Sequence, residues 1–301
     1  MAQDVRSYAA GKFSLLIGGK SAGYVKKFDG LTQKSEVAVH NLGPQLFQKK
    51  QPTIPTIEDM KWESGIGMSK ELLAWIQGTL DLAHTYKDGE VIVADSDYNA
   101  KYSRQFYQAL ITKFTIPTLD ASSKEGGYFS LEAAVENMTQ GPASGKLQGE
   151  VAKQQKSWTL ANFEFKIGDL PCQYVSKVEG LGVTQKVTKD DVGMHKLPQK
   201  IPTAVEFTNF KVTCSAKDID PWAKFFDSFI IQGNSGDDAE LTASVNFLAH
   251  DMKTVLGTYE LYNCGILSLT RDALEANKDG VGKFVAEFYC EHAKLTLNVA
   301  M

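Results

Sequence analysis

The segment Phe13-Ser-Leu-Leu-Ile-Gly18, followed by Tyr24-Val-Lys-Lys-Phe-Asp-Gly-Leu31, is written again half a chain later as Phe163-Glu-Phe-Lys-Ile-Gly168 and Tyr174-Val-Ser-Lys-Val-Glu-Gly-Leu181. The matches continue in order. Thr32-Gln33-Lys34 returns as Thr184-Gln185-Lys186, Ile54-Pro55-Thr56 as Ile201-Pro202-Thr203, Trp75 as Trp222, and Phe106-Tyr107-Gln108-Ala109 as Leu261-Tyr262-Asn263-Cys264. Matches that keep their order along a half-chain mark a tandem duplication, and whatever one half folds into the other must fold into as well.

A length of 301 residues accommodates two such units, each able to bury its own core. With 43% apolar and 23% charged residues the composition is that of a folded globular protein. Acidic residues number 36 against 32 basic ones, which argues against a surface built to neutralise phosphates. No apolar run approaches the roughly 20 residues that span a bilayer, so no membrane partner is expected. The start, Met1-Ala-Gln-Asp-Val-Arg6, lacks the basic-then-apolar plan of a secretory signal, and a cytoplasmic product is expected. Cys172, Cys214, Cys264 and Cys290 all lie in the second half without counterparts in the first, so they read as reduced core thiols rather than a disulfide framework.

Taken in order, residues 1–12 are polar and are expected to be loose or to lie over a neighbouring subunit. Alternation predicts strands at 13–18, 22–28, 34–40 and 57–66. Between them, Asn41 to Thr56 carries Pro44, Pro52 and Pro55 with Lys49 and Lys50, and is expected to be a long exposed loop. Its twin, Asp190 to Thr203, carries Pro198, Lys200 and Pro202. Ser69 is a plausible cap for a helix whose apolar stripe is Leu72, Trp75, Ile76, Leu80 and Ala83. In the second unit Asp220 is the expected cap, Pro221 the first helical residue, Trp222, Phe225, Phe226 and Phe229 the stripe, and Gly233 the exit. Further strands are expected at 90–94, 101–116 and 127–138, then at 163–168, 173–178, 204–214, 240–250, 254–269 and 281–299. The small, polar, glycine-bearing run 139–158 reads as a linker. The expected architecture is mainly β: two tandem antiparallel sandwich or barrel domains, 1–138 and 159–301, each with one packed helix.

No catalytic constellation stands out. Asp95-Ser-Asp97-Tyr-Asn99 begins like a calcium loop, but Ala100 stands where the sharp-turn glycine is needed and Phe106 where the bidentate Glu belongs. Gly141-Pro-Ala-Ser-Gly145-Lys146-Leu147 is one residue short of a phosphate loop, and Leu147 replaces its hydroxyl residue. His40, His84, His195, His250 and His292 occur at no metal-binding spacing. Asn137-Met-Thr139 is a formal glycosylation sequon without a secretory context. No cofactor, metal or enzymatic activity is expected.

The order of an apolar strand, Gly, Tyr-Val-x-Lys-φ-Asp/Glu-Gly-Leu, a proline-bearing loop, a strand and a Trp-bearing helix resembles the tail tube proteins of contractile, T4-like phages and of phage-derived contractile injection systems. The residues that carry the resemblance are Phe13, Ile17, Gly30, Leu31, Trp62 and Trp75 in the first half, and Phe163, Ile167, Gly180, Leu181, Pro221 and Trp222 in the second. The resemblance implies β-sandwich units joined edge to edge in a ring, with rings stacked into a hollow tube. Implied partners are the chain itself, a contractile sheath, baseplate and tail terminator proteins, and DNA or effector cargo passing through the lumen. It also implies assembly in the bacterial cytoplasm into a virion tail or injection particle.

Two units per chain depart from the one-unit pattern and imply three chains per pseudo-hexameric ring. The loop residues Pro44, Lys49, Lys50, Pro52, Pro55, Pro198, Lys200 and Pro202 are expected to stack ring on ring. Glu132, Glu136, Glu287 and Glu291 are candidates for an acidic lumen wall. A tube-initiating baseplate or hub component is the nearest alternative. A cytoplasmic duplicated β-sandwich that binds a ligand or hydrolyses one is the alternative of another class.

Overall fold

The computed structural model describes residues 11–41, 43, 47–147, 158–191, 193, 197–271 and 281–298. In the first unit Phe13–Ile17 pairs with Lys87–Ala94, which pairs with the long strand Ala100–Thr115. That long strand then serves two neighbours. Its first half takes Asn137–Pro142 and its second half Phe129–Ala134, which continues the sheet through Met60–Met68 to Gly23–Asp29. The second unit repeats the plan. Phe163–Ile167, Leu241–Leu248 and the long Val255–Arg271 lead to His292–Leu297 on one side, and to Lys283–Tyr289, Phe210–Ser215 and Val175–Glu179 on the other. Every pairing is antiparallel, and β-strands dominate both units.

The likeness between the two units extends to irregular features. Both long strands carry a register shift against the closing strand, between Ile111 and Lys113 and between Ile266 and Ser268. Both carry a left-handed residue just before it, Gln108 at φ 51° and Asn263 at φ 53°. An extra residue at this point increases local twist and lets one strand change sheets. The single closing strands expected at 127–138 and 281–299 are therefore each broken in two. Val135–Glu136 and Cys290–Glu291 form the kinks.

Helix Lys70–Leu80 begins where Leu72 donates its N–H to the Ser69 hydroxyl at 3.2 Å. Its stripe buries Leu72, Trp75, Ile76 and Leu80 against the sheet, and Trp75 stacks on Trp62 with ring centroids 6.0 Å apart. The second helix is Ile219–Phe226, extended by a wide turn over Asp227–Ile231. Its cap position is Asp218 rather than the expected Asp220, because a short 3-10 turn, Ala216–Asp218, leads the chain into the helix early. Trp222 sits edge-on to Phe284 and Phe288 at 5.5 and 6.0 Å.

Two other expectations are corrected. Lys49–Pro52 is not loop but strand, paired with Val37–His40, and Gln199–Phe207 pairs with Gly182–Asp190. Pro52 is tolerated there because it lies on an exposed edge, where no ladder N–H is missed. Within the run read as a linker, Thr139–Pro142 is paired strand, Lys146 bridges to Asn99, and Trp158 is buried. Residues 1–10 and 148–157 lie outside the described residues.

Candidate assembly interfaces

The two units are joined by main-chain pairing. The end of the first unit's long strand pairs with the second unit, Lys113 opposite Thr184, Phe114 opposite Val183 and Thr115 opposite Gly182. Ile116 then donates to the Leu181 carbonyl at 3.0 Å. Leu119–Asp120 adds a short rung against Val178 and Lys177, and Ala121 donates to Ser176. One sheet therefore runs from the first unit into the second without a break. Gly182 permits the approach: a Cβ there would lie 2.6 Å from the Phe114 carbonyl oxygen.

Side chains secure this seam. Lys200, its side chain only 8% exposed, reaches Asp59 with Nζ at 2.6 Å from the carboxylate. Its backbone N–H donates to Glu136 at 2.7 Å, and its carbonyl accepts from the Tyr86 hydroxyl at 2.8 Å. The first helix lies over the second unit's last strand, where the Gln77 side-chain oxygen accepts from the Leu295 N–H and Asp81 approaches His292. His84 Nδ1 meets the buried Gln185 amide. Beneath, Phe114 packs on Tyr259, and Trp158 sits between Phe129 and Phe247 at 5.7 and 4.7 Å. Apolar burial at roughly 25 cal/mol per Å² holds such a seam, and the polar pairs fix its register.

Lys200 is therefore buried between units, not displayed for ring stacking, because its cation is spent on Asp59. Lys49, Lys50 and Pro52 are exposed on the first hairpin arm, while Pro55, Pro198 and Pro202 are half-buried. Pro44 lies outside the described residues. The arms also display apolar side chains, with Ile54 62% and Ile201 45% exposed, alongside Val37, Val39 and Phe47.

The four glutamates differ in what they can do. Glu132 pairs with Lys61 at 3.0 Å, and its twin Glu287 with Lys211 at 3.7 Å. Glu136 faces the seam, and Glu291 accepts from the Asn263 amide. A wall of free carboxylates is thus not what this face presents. Glu136 and Glu291 lie at kinks rather than on an alternating strand face, so alternation does not place them.

Of the motif residues, Ile17, Leu31, Trp62, Trp75, Ile167, Leu181 and Trp222 are buried core, Phe13 and Phe163 half-buried, and Pro221 exposed. Gly30 and Gly180 take φ of 96° and 84°, each pressed against a neighbouring carbonyl. Asp95 closes a turn by accepting from the Asn99 and Asp97 N–H groups, and those bonds, the Asn99 one foremost, hold its carboxyl down to about 2. Burial pushes the Cys214 and Cys290 thiols up to about 11 and about 12, so they are unreactive. His195 lies outside the described residues. Among the described residues no cluster of His, Cys, Asp and Glu is placed to hold a metal. No described helix is long and apolar enough to cross a membrane.

A family model described as T4-like virus tail tube protein gp19 matches residues 9–139, the first unit. That match spans less than half of the chain, and it is the first unit that is similar to the tail tube family. Solved structures similar to part of the chain include an extracellular contractile injection system, the PVC sheath-tube complex in its extended state. That chain is 16% identical, with a TM-score of 0.38, over 45% of this chain and 88% of its own. The anti-feeding prophage tube-terminating cap is 15% identical, with a TM-score of 0.43, over 49% and 95%. The anti-feeding prophage baseplate is 14% identical, with a TM-score of 0.39, over 46% and 93%. No curated protein matches the chain.

Proposed function

We propose that the chain is the inner tube subunit of a contractile phage tail or injection machine, with both units in the ring wall and three chains closing a pseudo-hexameric ring. The observation that carries this reading is the internal seam. A sheet passing from one tail tube unit into the next is the contact that a ring of such units needs, and here it is built inside one chain. Open sheet edges are hazards unless a partner covers them, and closed symmetry supplies that partner. The role is structural rather than catalytic. Sheath, baseplate and tail terminator are the partners along and at the ends of the tube, with assembly in the bacterial cytoplasm.

The exposed hairpin arms around Ile54 and Ile201 stack one ring on the next. The strand face carrying Lys61–Glu132 and Lys211–Glu287 lines a lumen of balanced charge, which neither holds nor strongly repels DNA or protein cargo. Negative-stain imaging of purified protein tests the assignment. Stacked rings or tubes are expected; isolated rings that never stack would indicate the tube initiator, and a monodisperse monomer would refute a tube role.

A further inference from the structure

The internal seam leaves each unit with one face used and one vacant. In the second unit the face equivalent to the first unit's docking face meets no other described strand. Arg271 is the counterpart of Ile116, since Thr115 opposite Ser130 in one closing pair matches Thr270 opposite Val285 in the other. Thr270 and Arg271 are exposed. In the second helix, aligned on its Trp, Lys224, Ser228 and Ile231 stand where Gln77, Asp81 and His84 touch the neighbouring unit. Ile231 is 70% and Ile230 42% exposed, an apolar pair on the rim of an open sheet edge.

The first unit has the complementary vacancy. Leu31 matches Leu181, which accepts from Ile116 in the internal seam, and Thr32, Gln33 and Lys34 beyond it are all exposed. Asn137–Pro142 matches His292–Leu297, the strand under the first helix: Asn137 opposite Tyr107 corresponds to His292 opposite Tyr262. Among the described strands Asn137–Pro142 pairs only with Ala100–Thr115, and the Gln33 side-chain amide donates to its Met138 carbonyl at 3.3 Å.

We propose that chains join through these two vacancies. Residues Ser268–Arg271 of one copy pair with Leu31–Lys34 of a second copy, Arg271 donating to the Leu31 carbonyl, while Ile230 and Ile231 seat over the second copy's Asn137–Pro142. The occupant is a second copy of this chain because the internal seam displays the same pairing between the same kinds of face. The seam between chains is chemically different from the one within. Its counterpart of Lys200 is Lys50, opposite Val39 as Lys200 is opposite Lys189, but Asn209 stands where Asp59 does, so the ion pair is missing, and two isoleucines replace the polar anchors of the first helix. Within a chain the seam is pinned by an ion pair; between chains it lacks that pair, which suits a subunit that must stay separate until it is added to a ring.

This inference rests on the tube reading, and the experiment separates the two. By the internal template Thr270 faces Thr32 of the next copy, close enough for a cross-strand disulfide, since directly opposed antiparallel residues sit about 4.5–5.5 Å apart. The double variant Thr32→Cys, Thr270→Cys, assembled and mildly oxidised, should give a covalent ladder ending at three chains on a non-reducing denaturing gel. Neither single variant should. Ile231→Asp should keep its circular dichroism spectrum, because the side chain is exposed in the lone chain, while ring yield falls roughly tenfold or more through a charge forced into an apolar contact. Rings that form in the double variant without cross-linking, or normal rings from Ile231→Asp, overturn this seam and leave the tube reading standing. A parent chain that forms no rings removes both.

Discussion

Lys200 and Asp59 lie 141 residues apart in sequence and 2.6 Å apart in space, and the two are unequally placed: the lysine side chain is 8% exposed and the aspartate 47%. That inequality sets which partner can be lost cheaply. Removing the lysine leaves an aspartate that water can serve, whereas removing the aspartate strands a buried cation. Asp59→Ala is expected to cost about 1–3 kcal/mol, and Lys200→Met less than about 1 kcal/mol because its apolar stem is kept. Urea unfolding of both variants checks the order.

The two packed tryptophans should be the costliest single losses in their units. Trp75 and Trp222 are both fully buried, each under a helix, and each donates its ring N–H to a carbonyl, of Thr85 at 2.8 Å and of Pro171 at 3.2 Å. Replacement by Ala is expected to cost about 3–5 kcal/mol in either unit. Thermal unfolding followed by calorimetry would read this directly.

Gly30 and Gly180 are the matched backbone positions least able to accept a side chain. A Cβ would stand 2.2 Å from the Asp59 carbonyl oxygen in one unit and 2.5 Å from that of Asn209 in the other, on left-handed backbone in both. Alanine at either site should destabilise by about 1–3 kcal/mol, and the double variant should add the two costs because the sites lie in different units. A strongly sub-additive result would mean that the units do not strain independently.

Two turn aspartates set an acid dependence. The Thr254 hydroxyl and backbone foremost hold Asp251 down to about 2, as the Asn99 N–H does for Asp95, from an ordinary value of 3.8. A depressed folded pKa means that the unfolded chain takes up the proton first on acidification. The stabilisation is therefore fully present above about pH 4 and is lost as pH falls toward 2. Relative to the parent, Asp95→Asn and Asp251→Asn should be less stable at neutral pH, and the gap should close near pH 2.

Ring stacking and ring closure should separate by mutation. Ile54→Asp with Ile201→Asp places charge on the hairpin arms, where both side chains are exposed. Rings are expected to form and to fail to stack, as seen in electron micrographs. Normal tubes from this variant would move the stacking contact elsewhere.

The β architecture and the helix with its Trp were legible in the sequence, because each rests on local patterning. The seam was not. Asp59, Tyr86, His84 and Gln185 sit at no motif spacing, and their meeting depends on how one unit is set against the other, which periodicity within a unit does not encode. Trp158 was hidden by its setting at the end of a polar, glycine-bearing run, although a lone Trp in a linker is itself a sign of burial. The proline-bearing runs misled because proline was read as excluding strand, when an exposed edge accepts it. Glu136 misled because alternation was carried through a kink.

The central claim is that both units of each chain stand in the ring wall. The symmetry of assembled rings, determined by cryo-electron microscopy of purified tubes, tests it most directly. The account predicts true threefold symmetry with six similar sheets around the bore, alternate seams carrying the Lys200–Asp59 pair. Six chains per ring, with one unit of each projecting outside the wall, would contradict it.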